Sequence, residues 1–323
     1  MSPRLRAVAL TTLGGLLLAA IVALLGSPAQ ARPDGSHAAF HRTGADSAVA
    51  QSKIRAYWTK ARMRAAIPKQ VHGRPSPDVA TGKPKVVKGK PGPVTDGFIG
   101  GAWTGGGAVV KTTGKVFFTE NKANYVCSGS SAGSKNGSTV TTAGHCVNEG
   151  PGAYVTNFVF VPAYDHGSNP YGKWVATSLA TTDQWRTAGD FDYDVGLAKV
   201  APLNGKTLSA TVGSQSVGFN LARGQFTYSF GYPAARPYDG TTLDYCSGTT
   251  TNDTLGGSQD QRLACNMTGG SSGGPWFVDF DKTTGVGTQV SLNSFGYTGE
   301  KNAMYGPYFG TVIENLFASF SAS

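Results

Sequence analysis

Short runs of alternating apolar and polar residues, separated by turn-forming pairs, fill the chain from about residue 98 onward. Alternation with a period of two is typical of strands that bury one face, and the Gly-Gly, Asn-Gly and Asp-Gly pairs between them mark turns. Only residues 311–320 repeat apolar side chains at helical spacing in this part of the chain. The pattern therefore predicts an all-β fold, a sandwich or a barrel, with one C-terminal helix. The predicted strands are residues 108–118, 139–142, 153–162, 195–200, 225–231, 276–280 and 289–295.

The first 31 residues have the three parts of a secretory signal peptide. Arg4 and Arg6 precede an apolar run over residues 7–25, and Ala29 and Ala31 form an Ala-x-Ala cleavage site. The apolar run is also long enough to act as an uncleaved membrane anchor. Because the cleavage site favours removal after Ala31, we expect a secreted, extracellular protein with no membrane span after signal cleavage.

Residues 32–97 form a basic leader in front of the predicted domain. They contain one helical pattern, which Asp46 or Ser47 can cap and Pro68 ends. Residues 69–93 are rich in Pro, Lys and Gly, a composition that predicts a linker without a core of its own. We interpret residues 32–97 as a propeptide and linker, the alternative being a basic amphipathic helix that touches acidic lipid or cell wall. The globular domain is then residues 98–323.

The positive charge of the chain lies outside the predicted domain. The formal net charge is +9, but residues 1–31 carry +2, residues 32–97 carry +9 and residues 98–323 carry −2. A nucleic-acid-binding domain concentrates Lys and Arg on its folded part, so this distribution excludes nucleic acid as a partner.

Four cysteines in an exported chain predict two disulfides, with three possible pairings. Cys127 and Cys146 lie 19 residues apart, as do Cys246 and Cys265, so pairing between neighbours is the simplest choice. No Cys-x-x-Cys motif occurs, and residues 98–323 contain only two histidines. The sequence therefore predicts neither a structural metal site nor a cofactor.

Three motifs carry candidate chemistry. His145 follows a predicted strand and precedes Cys146, whose disulfide would fix its backbone, whereas His166 lies among turn formers and is expected to be an exposed loop residue. Ser272 lies in a Gly-Ser-Ser-Gly-Gly segment, where flanking glycines allow a sharp turn and leave N–H groups pointing into one space. Asp194 opens an apolar run, so we expect its side chain to be buried at a barrel edge.

These motifs, in the order Thr-Ala-Gly-His145-Cys, Asp194-Val-Gly-Leu and Gly-Ser-Ser272-Gly-Gly-Pro, resemble those of the chymotrypsin-like serine proteases, with the bacterial secreted branch as the nearest match. The resemblance covers roughly residues 105–320. It implies two packed six-stranded antiparallel β-barrels with the active site between them. It further implies that Cys127–Cys146 braces the histidine loop and that Cys246–Cys265 braces the approach to the serine.

The resemblance also implies the roles of the site residues. Ser272 would be the nucleophile, His145 the general base and acid, and Asp194 the residue that fixes the histidine tautomer. The backbone N–H groups of Gly270 and Ser272 would bind the oxyanion. The substrates would be polypeptides and the enzyme a monomer.

The expected specificity residues depart from those of the trypsins. The segment Ser294-Phe295-Gly296 resembles the strand that pairs with extended substrate and forms a wall of the primary pocket. Six residues before the nucleophile, where trypsins carry an acid, this chain has Asn266. A neutral pocket floor favours cleavage after uncharged residues. Ser271 stands where animal members have the aspartate that pairs with a new N-terminus, so that activation switch is expected to be absent.

Two other classes of function compete with this interpretation. The Gly-x-Ser-x-Gly pattern around Ser272 also occurs in lipases and esterases, but their fold needs a histidine after the serine, and none follows Ser272. A secreted protease-like binding protein or adhesin without activity remains open, because a fold does not guarantee its function.

Overall fold

The computed structural model describes residues 40–73 and 97–323, so the predicted signal peptide and residues 32–39 and 74–96 of the predicted propeptide and linker lie outside the described residues. The described residues form strands β1 to β19 and helices α1 to α6, in agreement with the predicted mostly-β composition. The strands are, in order, His41–Arg42, Ile67–Pro68, His72–Gly73, Phe98–Ala102, Thr113–Glu120, Ala123–Ala132, Thr139–Thr142, Thr156–Pro162, Trp174–Thr181, Gly196–Val200, Ser216–Val217, Phe226–Gly231, Asp244–Thr249, Thr251–Asn252, Gln261–Ala264, Pro275–Asp281, Val286–Leu292, Gly296–Tyr297 and Ala303–Gly306. The helices are, in order, Ala48–Tyr57, Lys60–Ala65, Ala108–Thr112, Asp183–Ala188, Leu208–Val212 and Thr311–Ser321.

Strands β5 to β10 form a closed antiparallel barrel in the first half of the domain. The order of pairing is β9–β10–β7–β6–β5–β8, and β8 pairs back with β9 to complete the ring. Inward-facing side chains such as Val116, Phe160 and Leu179 are fully buried inside the barrel. Closure leaves no free edge in this ring, so the loops between its strands project from a rigid support.

The second half of the domain is built from two sheets. One has six strands in the order β11–β17–β16–β12–β13–β4, and the other has three in the order β14–β15–β19. Helix α6 returns to the first half, where Leu316 and Phe320 pack against Ala180 and Leu197. The two-part all-β architecture with its C-terminal helix confirms the fold class expected from the sequence.

One predicted strand begins five residues later than expected. Residues 108–112 form helix α3, and β5 starts at Thr113. A single helical turn allows Val109 and Thr112, three residues apart, to be buried together, whereas a strand would place them on opposite faces.

The leader packs on the first barrel instead of standing apart from it. The predicted single helix is two helices, α1 and α2, separated at Trp58 and Thr59. Thr59 caps the second of them, since its Oγ1 accepts a hydrogen bond from the Arg62 N–H at 3.2 Å. Trp58 is fully buried, and its indole N–H donates to the Asn157 carbonyl at 2.6 Å. Burial of this indole anchors the leader to the domain.

Two disulfides join neighbouring cysteines along the chain. Cys127 pairs with Cys146 and Cys246 pairs with Cys265, with S–S distances of 2.04 and 2.05 Å. This is the neighbour pairing that the sequence favours. Among the described residues, no helix is long and apolar enough to cross a membrane.

Candidate active site

The three candidate catalytic residues come from loops of both halves of the domain. His145 lies in a 3-10 turn, Gly144–Cys146, directly after β7. Asp194 ends a second 3-10 turn and precedes β10, the strand that pairs with β7. Ser272 lies between β15 and β16 in the second half. Pairing of β7 with β10 therefore brings His145 and Asp194 together within the first barrel.

His145 and Asp194 make two hydrogen bonds to each other. The Asp194 Oδ1 accepts the His145 backbone N–H at 2.8 Å, and Oδ2 lies 2.7 Å from His145 Nδ1. Ser294 Oγ donates to the same Oδ2 at 2.5 Å. Both side chains are buried, with 0% of Asp194 and 1% of His145 exposed. This arrangement fixes the imidazole ring and directs its Nε2 away from the carboxylate.

Gly144 is required by the close approach of these elements. A Cβ at this position would lie 2.7 Å from Asp194 Oδ1 and 2.9 Å from the Trp185 ring. The Cys127–Cys146 disulfide begins at the residue after His145 and ties this turn to β6. The backbone of His145 is therefore held on both sides.

The loop that carries Ser272 is held by backbone and side-chain hydrogen bonds from its surroundings. The Ser128 N–H donates to the Ser272 carbonyl at 2.7 Å, and the Asn293 Nδ2 donates to the Ser271 carbonyl at 3.2 Å. Gly273 has a φ of +80°, and a Cβ there would lie 2.1 Å from Thr142 Oγ1. Only glycine fits this position, because both the positive φ and the contact exclude a side chain.

The Ser272 hydroxyl faces a segment of the leader. Its Oγ donates to the carbonyl oxygen of Lys69 at 3.4 Å, and the Gly270 N–H donates to the same oxygen at 3.0 Å. Among the described residues, His145 Nε2 has no hydrogen-bond partner. The structure thus brings His145 and Asp194 into direct contact, whereas a hydrogen bond between Ser272 and His145 is not formed.

A cavity of about 550 Å³ opens next to Ser272. All four predicted specificity residues line it, namely Asn266, Ser294, Phe295 and Gly296. Asn266 Oδ1 accepts a hydrogen bond from the Tyr238 hydroxyl, which fixes the amide at the cavity wall. This part of the cavity wall therefore carries a neutral polar group.

The acidic residues before Asp194 are less exposed than their loop suggests. The pKa of Asp192 is raised to about 6, mainly by burial. The hydrogen bond from the Gln259 N–H acts in the opposite direction and only partly offsets the effect of burial. Burial also raises the pKa of Asp190. His166, by contrast, is exposed and pairs with its neighbour Asp165 at 2.6 Å, as expected of a loop residue.

One group of possible metal ligands lies within the site. Ligand atoms of Cys127, His145 and Cys146 are close to one another. The two cysteines form a disulfide, so they offer no thiolate to a metal ion.

Comparison with known proteins places this chain in a family. Residues 127–286 match the family model described as a trypsin-like peptidase domain. The chain shares 51% sequence identity with the protease Anisep from Arthrobacter nicotinovorans. The match to the crystal structure of that protease covers 70% of this chain and 100% of the other, with a TM-score of 0.65. The chain is 44% identical to the thermostable serine protease AL20 from an extremophilic microorganism, covering 67% of this chain and 99% of that one with a TM-score of 0.63.

A more distant relative is an extracellular metalloprotease of Bacillus subtilis, 29% identical over 91 residues. The chain spans 28% of the length of that relative. The fold and the two structural relatives define a trypsin-like peptidase, a hydrolase by class. The chain belongs to the chymotrypsin-like serine protease family, as the sequence motifs indicated.

The sequence did not indicate the residues that position the loop of Ser272. Ser128 contributes its N–H to Ser272 and its Oγ to the Gly270 carbonyl at 2.9 Å. Asn293 accepts from Ser229 and Trp276 while it donates to the loop. No local pattern marks these two residues, because their partners lie far away in the sequence. The adjacency of Ser128 to Cys127 is the only signal that could have suggested its position.

Proposed function

We propose that the protein is a secreted serine endopeptidase that hydrolyses peptide bonds through His145, Asp194 and Ser272. The pair of hydrogen bonds between His145 and Asp194 carries this proposal, because it fixes both the ring orientation and the proton on Nδ1. An inactive binding protein is the alternative. It has no need for a buried carboxylate held by both His145 and Ser294, and this favours the enzyme.

The proposed reaction follows from the groups in place. Ser272 Oγ attacks the carbonyl carbon of the substrate while His145 Nε2 takes its proton. The carbonyl electron pair moves to oxygen, where the N–H groups of Gly270 and Ser272 stabilise the charge by about 3 kcal/mol per donor. His145 then protonates the leaving amine, the C–N bond breaks, and an acyl ester remains on Ser272. Water deprotonated by His145 hydrolyses this ester and restores the enzyme.

The neutral amide of Asn266 supports cleavage after uncharged residues. In a panel of peptides that differ only in the residue before the cleaved bond, kcat/KM should be at least tenfold higher for Ala, Leu or Phe than for Lys, Arg, Asp or Glu. An acidic residue in place of Asn266 would reverse the order for Lys and Arg. A strict preference for any charged residue would contradict this part of the proposal.

The domain organisation is part of the same proposal. We place the signal peptide at residues 1–31, the leader at residues 32–97 and the protease domain at residues 98–323. The two disulfides support an oxidising, extracellular location. The proposal includes action as a monomer without a cofactor.

Labelling with a fluorophosphonate probe tests the proposal. The processed protein from the culture medium should form an adduct at Ser272, mapped by mass spectrometry, and the same map gives the N-terminus. A His145→Ala variant should lose the label, while a His166→Ala variant should keep it, because His166 is an exposed loop residue. A folded protein that takes up no label would favour the inactive binding protein.

A further inference from the structure

A segment of the leader lies across the candidate active site. This segment, residues 67–73, is called the cleft segment below. Its Lys69 N–H donates to the Val126 carbonyl at 2.9 Å, and the Lys69 carbonyl accepts from the Gly270 N–H at 3.0 Å. The Ser272 hydroxyl donates to this same carbonyl at 3.4 Å. The Lys69 carbonyl thus engages the Gly270 N–H, the proposed oxyanion donor. It also takes the hydrogen bond of the Ser272 hydroxyl, the proposed nucleophile, which is not bonded to His145.

The cleft segment contacts both halves of the domain. Strand β2 pairs in parallel with β6, on the first barrel. Strand β3 pairs in parallel with β18, which begins at Gly296 in the proposed substrate strand. Between them, Gln70 and Val71 line the cavity beside Ser272. From its N-terminal to its C-terminal end, the cleft segment therefore runs from the first barrel to the proposed specificity pocket.

This direction is the reverse of the one that a substrate needs. In a substrate, the residue whose carbonyl is attacked places its own side chain in the specificity pocket. The carbonyl at the oxyanion donor belongs to Lys69, but the Lys69 side chain extends to Glu120 and lies 4.7 Å from the Tyr125 ring centroid, on the first barrel. The residues after Lys69, not those before it, line the pocket.

We propose that the cleft segment is a built-in inhibitor that occupies the substrate cleft backwards and is therefore not cleaved at Lys69. The inference rests on the proposed serine mechanism. With the chain reversed, the nitrogen of the Lys69–Gln70 bond lies on the pocket side, whereas His145, which must protonate a leaving nitrogen, belongs to the first barrel. The carbonyl can therefore fill the oxyanion site without a productive path to bond cleavage.

Two anchors hold the cleft segment in place. Lys69 forms an ion pair with Glu120, whose side chain is only 6% exposed. At the other end, Gly73 is buried, and a Cβ there would lie 2.8 Å from ring carbons of both Phe295 and Tyr297. Behind the first anchor, the buried Trp58 fixes the leader helices to the barrel. Because these contacts are noncovalent, a cut within residues 74–96 leaves inhibition in force until the leader dissociates.

Variants in the leader test the inference without altering the processed enzyme. In the intact precursor, Ser272 should react with a fluorophosphonate at least 100-fold more slowly than in the processed enzyme. Gly73→Ala and Lys69→Ala should each raise the labelling rate of Ser272 in the precursor at least tenfold. Gly73→Ala introduces a clash with two aromatic rings, and Lys69→Ala removes an ion pair. Lys53→Ala, which removes an exposed lysine of the same leader, should leave the rate unchanged.

The outcomes separate this inference from the proposed function. Equal labelling of precursor and processed enzyme would overturn inhibition while leaving the serine mechanism intact. Recovery of a fragment that ends at Lys69 would overturn the reversed direction, because it requires binding as a substrate. Lack of labelling in both forms would overturn the serine mechanism and this inference with it. Slow precursor labelling, relieved by both leader variants and without cleavage after Lys69, is the expected result.

Discussion

Replacing Ser272 with alanine should lower kcat of the processed enzyme by about 10⁶-fold, because the change removes the hydroxyl that we propose forms the acyl intermediate. Hydrolysis of a peptide substrate measures the loss. Ser319→Ala provides the matched control, since Ser319 is an exposed serine on helix α6 and, within the described part of the chain, its hydroxyl bonds only to carbonyls of its own helix. This control should retain the activity of the wild type.

The double variant sharpens this test. Residues that act as one unit in catalysis give losses that do not add, so Ser272→Ala combined with His145→Ala should be no less active than Ser272→Ala alone. The single Ser272→Ala variant should keep the stability of the wild type, because the change removes one hydroxyl and breaks no disulfide. A Ser272→Ala variant with more than about one hundredth of the original activity would point to another nucleophile.

The fold could be predicted from the sequence because its signals are local and repeated. The alternation of apolar and polar residues predicted the strand at residues 139–142 with the bounds that the structure has, and the helical spacing at residues 311–320 predicted α6 to within one residue. Helix α6 buries one face against the core, which gives the helical spacing of its apolar residues, whereas all four residues of β7 are buried. Helix α3 was missed because its five residues are too few to establish a period.

The proximity of His145 and Asp194 could be anticipated only through the family motifs. The two residues are 49 positions apart, and only the pairing of β7 with β10 brings them together. The disulfide next to His145 gave a local reason to expect a fixed backbone. Nothing local indicated the Ser294 hydroxyl on Asp194, since the contact crosses from one half of the domain to the other.

The position of the cleft segment could not be predicted from composition. The Pro, Lys and Gly content of residues 69–93 predicts a linker, whereas its first five residues pair with the domain in the structure. Lys69 to Gly73 need no core of their own, because their backbone groups pair with β6, the Gly270 N–H and β18. Because the hydrogen-bond partners of this segment belong to the domain, its own sequence shows no periodic pattern.

Replacing Asp194 with asparagine should lower kcat by about 10⁴-fold at neutral pH, while leaving the fold intact. Asparagine has nearly the shape of aspartate, but its Nδ2 donates a hydrogen bond where the carboxylate oxygen accepts one. Facing His145 Nδ1, that amide group would favour the tautomer with its proton on Nε2, which cannot accept the proton of Ser272. The change therefore removes the base without removing the ring.

Asp192→Asn is the matched control for this prediction. Asp192 lies two residues earlier, and its Oδ1 accepts from the Gln259 N–H, with no contact to His145 among the described residues. Its activity should stay within about twofold of the wild type, because the tautomer of His145 does not depend on it. If Asp194→Asn lowered the activity less than tenfold, or if both variants lowered it equally, the Asp194 carboxylate would be acting through the structure of its loop rather than through the imidazole. A large loss confined to Asp194→Asn, with unchanged thermal unfolding, would instead assign the effect to the proton on His145 Nδ1.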